Sequence, residues 1–410
     1  MDTTDGVLLL MGSGAQLYRE YLVESAARNH RVWLFDPDEP TWQRPYIAGY
    51  DVIDVFDPAA VVAAARGLAE TVPVLGVYCY HEGVIVAAAE AAAALGLPGT
   101  APEAVRACRD KVRTRELLHA ARVPQPMFAL VGTIEAATAA AGEIGYPLVI
   151  KPRGLGASQG VVKVTGPDEL AWALEVTRSA TQRGMAAHDE VLMEEYLEGP
   201  EISIDIAVFE GRCHPFIVGR KNVGMPPYFE EIGHMVSADD ALLTDRGMLD
   251  LLDRMHVALG VTHGITHTEI KFGPRGPALI EVNGRLGGDL IPYLGQIASG
   301  VDAGDVAIDL ALGRAPKLDA TDTASASIRF YYPPTDMAVE SVTLPAADPD
   351  AGLYEVCALA EPGTELRLPP RGYTSRFGYA IARAADPAAC TAVLDAADGF
   401  AAVTGVELPA

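Results

Sequence analysis

The sequence is poor in basic residues: 31 Lys and Arg stand against 55 Asp and Glu, a formal charge of -24 at pH 7. That excess repels nucleic-acid phosphates and anionic lipid surfaces, so neither is an expected partner and small molecules are. Cysteine is scarce as well. Cys79, Cys108, Cys213, Cys357 and Cys390 are odd in number, widely spaced and free of any CxxC pair, which points to a reducing compartment and not to a disulfide framework. No apolar run reaches the roughly 20 residues of a membrane helix. The opening MDTTDGVLLLMGSG carries acids where a signal peptide carries positive charge. The expectation is a cytoplasmic protein without membrane association. Hydrophobic residues, by contrast, make up 50% of the 410, ample for two or three lobes with cores of their own. An acidic chain that handles a polyanion must build a local positive pocket or recruit a divalent cation, and either leaves a trace in sequence.

Over residues 1–105, the apolar segments VLLLMG (7–12), RVWLFD (31–36) and VLGVYCY (74–80) alternate with alanine-rich stretches, one of which, 84–95, stops at Gly96 and Pro98. This pattern predicts a parallel α/β lobe. Thr100, Pro102 and Glu103 read as a capping box that opens one long helix through Lys111 to about Ala121. Over 106–317, YPLVIKP, VVKV, VLMEEYL, EISIDIAVF and CHPFIVG read as strands joined by tight turns, with helices between Asp168 and Arg178 and between Asp245 and Leu259. Residues 318–410 hold ASIRFYY, RFGYAIARA and a helix from near Pro387, a smaller α+β lobe. The fold class is therefore mixed α/β and α+β.

Two motifs carry chemistry. Lys151 ends an apolar strand and is followed by the loop PRGLGASQG before the next strand. Small residues there let backbone N–H groups close around phosphate oxygens beside the lysine charge, although an ordinary glycine-rich hairpin has the same look. The second motif is HTEIKF, a turn at 273–276, then ALIEVNGR. Strand alternation places His267, Glu269 and Lys271 on one face, and Glu281, Asn283 and Arg285 opposite Ile280 and Val282 on the return strand. Two carboxylates and an amide oxygen on one face suit Mg²⁺; the competing reading is a solvated strand face. GSGA at 12–15 lacks the third glycine of a dinucleotide fingerprint, and His263 with His267 lacks the helix a zinc pair needs.

In order along the chain, DKVRTRELL, KPRGLGASQG, MEEYLEGPE and TEIK…LIEVNGR resemble the ATP-grasp superfamily, and within it the L-amino acid ligases. The resemblance implies an N-terminal parallel lobe, an ATP-grasp domain with its nucleotide-binding part at about 123–200, and a small C-terminal lobe. It implies ATP and Mg²⁺ as cofactors, two ions with Mn²⁺ as a substitute. Lys111 and Lys151 match phosphate contacts, and Gly156, Ala157 and Ser158 match the covering loop. Glu194, Glu195 and Leu197 match the adenine hinge, and Glu201 the ribose acid. Glu269, Glu281 and Asn283 match the magnesium ligands, and Arg285 the arginine on the substrate carboxylate. In YFEEIGHMVS, read as a loop, Glu231 and His234 match an element facing the substrates and are the candidate bases. Gly287 or Gly288 offers an N–H to the oxyanion, and Asp289, a departure from the pattern, suits a cationic group.

The implied activity is ligation of a small carboxylate to an amine through an acyl phosphate, with a homodimer left open. A biotin carboxylase-like enzyme using bicarbonate and a non-catalytic nucleotide-binding regulator are the alternatives.

Overall fold

The computed structural model describes residues 6–182, 184–185 and 188–409. Strands β1 (Val7–Met11), β2 (Val32–Asp36), β3 (Ile47–Val52) and β4 (Val74–Tyr78) form a sheet in the order β3-β2-β1-β4 with every pairing parallel. Fully buried β1 reads as unbroken apolar sequence because helices cover both faces of such a sheet.

The expected long helix after Thr100 is in fact two, Pro102–Arg109 and Lys111–Ala120. Asp110 breaks it. Its backbone is extended and its carboxylate caps the second helix by accepting from the Val112 and Arg113 N–H groups, while Thr100 donates to His263 O. The break points Lys111 from a helix start toward the site.

β5 (Phe128–Val131), β6 (Leu148–Pro152), β7 (Val162–Val164) and β8 (Val191–Glu195) form a separate antiparallel sheet, β5-β8-β6-β7, with its own core around Ile150, Leu174 and Met193. The largest sheet takes β9 (Glu201–Phe209), β10 (Arg212–Gly224), β11 (Glu230–Ser237), β12 (Gly264–Gly273) and β13 (Gly276–Asn283). The last segment adds β14 (Ser325–Tyr331), β15 (Met337–Thr343), β16 (Leu353–Ala358), β17 (Glu365–Leu366), β18 (Gly378–Ala384) and β19 (Ala402–Glu407). The order β13-β12-β9-β10-β11-β14-β18-β16 shows that β14, β16 and β18 extend the central sheet; β17-β15-β19 form a small sheet beside it.

Helix Arg246–Leu259, capped by Asp245, packs Met248, Leu252 and Met255 on one face of the central sheet. Helices Ile291–Ser299 and Ala303–Ala311 join its other face to the first lobe. No helix among the described residues is long and apolar enough to cross a membrane.

Candidate active site

Between the β5–β8 sheet and the central sheet lies a cleft of about 750 Å³ lined by Lys111, Lys151, Gly156, Ser158, Glu194, Glu195, Leu197, Glu201, Glu269 and Glu281. Ten residues singled out from four distant stretches of sequence thus meet in one cavity. Ala157 sits in the same loop, and it and Ser158 both adopt left-handed backbone, φ 53°, a conformation that non-glycine residues hold only when the surroundings impose it. The Lys111 ammonium donates to Leu155 O at 2.6 Å and Gly156 N–H donates to Gln182 at 3.1 Å, which fixes the loop over the cleft.

The hairpin pairs as its alternation requires: Glu269 lies opposite Glu281, and His267 opposite Asn283. One expectation fails. A bulge at Ile280 shifts the register, so that Ile280, expected on the other face, lines the cleft together with Glu281. Its carbonyl accepts from Arg115 at 2.5 Å.

The cleft is a lattice of opposite charges. Lys151 meets Glu194 at 2.6 Å, and Arg115 holds the same carboxylate at 2.5 Å. Lys111 meets Glu281 at 3.1 Å. Burial lowers the Lys151 pKa, whereas against the same burial Arg115 and Lys151 keep Glu194 below its usual range. Burial also opposes ionisation of Glu281, yet Lys111 and Lys151 hold it down at about 2. At the hinge the Glu195 N–H donates to Met127 O and the Tyr196 N–H to Pro147 O. Gly199 beyond it has φ 139°, and a Cβ there would stand 1.9 Å from Phe272 O, so that only glycine lets the hinge approach β12.

Lys221 was not singled out by any motif. From β10 its buried ammonium reaches Glu201 at 2.9 Å, Glu231 at 2.7 Å and Glu269 at 3.0 Å. Burial opposes its charge, but the three acids hold its pKa well above the ordinary value. The clue in sequence was the alternation of β10 continuing past Gly219 through Arg220-Lys221-Asn222. Lys111, Lys151, Lys221 and Lys271, which all line the cleft, and the paired acids make this acidic protein locally amphoteric, the condition expected of a site for a polyanion and a divalent cation together. Glu269, Glu281 and Asn283 supply hard oxygen donors with lysines behind them, so the donor set fits Mg²⁺ beside phosphate.

The segment read as a substrate loop is strand β11, paired with β10 and β14. Residues three apart on a regular strand face opposite ways. A bulge at Ile232 rephases β11, setting Glu231 opposite Val223 and His234 opposite Lys221, so that the Glu231 carboxyl and the His234 ring share a face. His234 Nε2 is 3.6 Å from Glu231 Oε2 and 3.6 Å from Asp289 Oδ2. Burial, with Asp289 nearby, pushes Glu231 up to about 8, and burial lowers His234.

Three other candidates are engaged by partners within the protein. Asp289, expected to suit a cationic group, is bound by Arg376 with two hydrogen bonds, 3.0 and 2.7 Å. Despite burial, that arginine holds Asp289 well below the usual carboxylate range. The Gly287 N–H is spent on Asp205 Oδ1 at 3.0 Å and does not face an oxyanion. A Cβ on Gly287 would meet His267 Nδ1 at 2.9 Å, whereas one on Gly288 would meet nothing within 4 Å. Arg285 does not line the cleft; it is paired with Glu82 of the first lobe and donates to Leu286 O at 2.6 Å.

Residues 144–293 match the ATP-grasp domain family. The chain is 29% identical to an uncharacterized protein of Sinorhizobium fredii over 336 residues, 80% of this chain and 68% of that one. It is also 29% identical to the D-alanine–D-alanine ligase of Pseudomonas entomophila over 224 residues, 51% of this chain and 65% of the ligase. The structure of an L-amino acid ligase from Bacillus licheniformis superposes with a TM-score of 0.78 at 20% identity, covering 98% of this chain and 99% of that one. The biotin carboxylase domain of Hydrogenobacter thermophilus 2-oxoglutarate carboxylase, in complex with MgADP, ADP and bicarbonate, gives 0.71 at 16% identity, covering 97% and 91%. At these identities the superpositions speak to fold. Residues 144–293 thus match an ATP-grasp domain, and the chain shares the fold of the L-amino acid ligase structure from its first lobe to its last.

Proposed function

We propose that this protein is an ATP-dependent ligase that joins a small carboxylate to an amine through an acyl phosphate, the substrates being amino acids or close analogues. The observation that carries the reading is the convergence of Lys111, Lys151, Glu269 and Glu281 on one cleft under the glycine-rich loop. Lys111 and Lys151 would neutralise and orient the phosphates, with Gly156, Ala157 and Ser158 covering them, while Glu194, Glu195, Leu197 and Glu201 would hold the nucleoside. Glu269, Glu281 and Asn283 would hold Mg²⁺, which when bound offsets negative charge on the phosphates.

A carboxylate oxygen attacks the γ-phosphorus, the bond to the β-phosphate oxygen breaks, and ADP leaves. The amine nitrogen then attacks the acyl carbon, the carbon–oxygen bond to phosphate breaks, and inorganic phosphate leaves. The proton lost by the amine passes to Glu231, which stands 2.7 Å from Lys221 at the edge of the cleft. Arg285 is assigned to the substrate carboxylate, for which it must exchange Glu82. No side-chain nucleophile is needed.

Phosphate release over pairs of amino acids, with mass spectrometry of products, tests the reading. ADP formation that requires both an acid and an amine is expected. Release that depends on bicarbonate without an amine, or nucleotide binding with no turnover over all pairs, would overturn it.

A further inference from the structure

Arg376 ties the C-terminal segment to the site, and no motif points to it. It is 3% exposed, with its guanidinium 3.5 Å from the centre of the Phe330 ring. Besides its two bonds to Asp289, it donates to Glu231 O at 3.0 Å and from Nε to the Tyr332 hydroxyl at 2.9 Å. A buried guanidinium is tolerated only when its donors are satisfied in this manner. The carboxylate it grips lies on a turn that needs gripping: Asp289 has φ 48° and Leu290 φ 62°, both left-handed. Two clamps hold this turn, Arg376 on Asp289 and Asp205 on the Gly287 N–H.

What the clamp organises is a cluster of acceptors. His234 is fully buried, and neither ring nitrogen has a hydrogen-bond partner among the described residues. Its Nε2 is 3.6 Å from both neighbouring carboxylates, too far for hydrogen bonds. One ligand atom from each of Glu231, His234 and Asp289 lies within 4.8 Å of the others. Carboxyl oxygens and a ring nitrogen accept N–H donors; a primary ammonium group brings three.

We propose that Arg376 is a positioning residue for the amine substrate: by fixing the Asp289 carboxylate and the Glu231 backbone, it holds Glu231, His234 and Asp289 around an incoming primary ammonium group. The inference rests on the ligase reading above. Arg376 takes no part in phosphorylation of the acid.

The two half-reactions can be read apart with ATP, Mg²⁺ and a mixture of the twenty common amino acids, since hydroxylamine, a small uncharged nucleophile, captures the acyl phosphate as a hydroxamate without an ammonium site. Arg376→Ala is expected to lower amide formation about 100-fold, as a misplaced reactant does, and to leave hydroxamate formation at the unaltered rate. Arg376→Lys should restore part of the loss. Asp289→Ala combined with Arg376→Ala removes both charges, leaves no buried ion unpaired, and should cost no more than Arg376→Ala alone, because Arg376 acts through Asp289. Parallel loss of amide and hydroxamate in the double variant, or unchanged amide formation in Arg376→Ala, would overturn the proposal. If the unaltered protein makes neither hydroxamate nor ADP, the ligase reading itself falls.

Discussion

The lysine-lined cleft and the Glu231–His234–Asp289 cluster stand side by side, joined by Lys221; both pair each acid with a cation, and they differ at Glu231. In the cleft each acid has a lysine or arginine within about 3 Å, as for Glu281 with Lys111 and Glu194 with Lys151 and Arg115, so its carboxylates stay ionised and ready for a cation. In the cluster the carboxylates crowd a neutral histidine, and Glu231 is pushed up to about 8 where it can carry a proton. The first environment favours fixed charge for electrostatic work and the second favours a group whose charge changes during turnover. Separate roles for the two regions follow from that contrast.

The comparison breaks most decisively at the cleft. Lys151→Ala or Glu281→Gln should lower ADP formation and hydroxamate formation together by about 10²–10³, the usual cost of one preorganised electrostatic group; single-turnover assays with either variant check this. If only amide formation fell, the division of labour would be wrong.

A smaller loss is expected at the other region. Glu231→Gln should reduce amide formation about 10²-fold, the lower end of general-base effects, and leave hydroxamate formation intact. The base must be deprotonated, so the rate of amide formation in the unaltered protein should climb as pH rises toward about 8 and level off above it. The variant's pH–rate profile should lack that climb.

Stability sharpens the contrast from another side. Glu281 is held near 2 in the folded protein, below its unfolded value, so its contribution is present above the unfolded pKa and is lost as pH falls through the folded one. Between about pH 4.5 and pH 2 the unaltered protein should lose about 3 kcal/mol from this group; denaturant titration of Glu281→Gln should show a shallower acid limb. Glu231 has the opposite sign: its folded pKa is raised, and removing its titration should flatten a loss of stability toward pH 8. The smallest effect belongs to the rim of the cleft, where Arg275, 67% exposed, meets Glu195 at 2.6 Å. Arg275→Ala should change stability by less than about 1 kcal/mol, within reach of thermal melts.

The two regions also differed in how readily the sequence disclosed them. Glu269 and Glu281 were legible because a two-residue period plus a tight turn fixes cross-strand register, and the lysine before a glycine loop is a local motif. Ile280 was misplaced since a bulge breaks that period without leaving a signature residue. Glu231 and His234 read as a loop in sequence, but the segment is a strand, and the bulge at Ile232 lets residues three apart share a face. Asp110 offered a capping residue in mid-helix, the one local sign that the helix from Pro102 would break. Lys221 and Arg376 owe their roles to partners up to 145 residues away, and no local pattern encodes such a meeting.

The acyl phosphate is the hinge of the account, and isotope transfer reads it directly. With amino acids labelled by ¹⁸O in their carboxyl groups, each phosphate released alongside an amide should carry one labelled oxygen, since the carboxylate oxygen that attacks phosphorus leaves with it. Amide formation with no label in the phosphate would contradict the account.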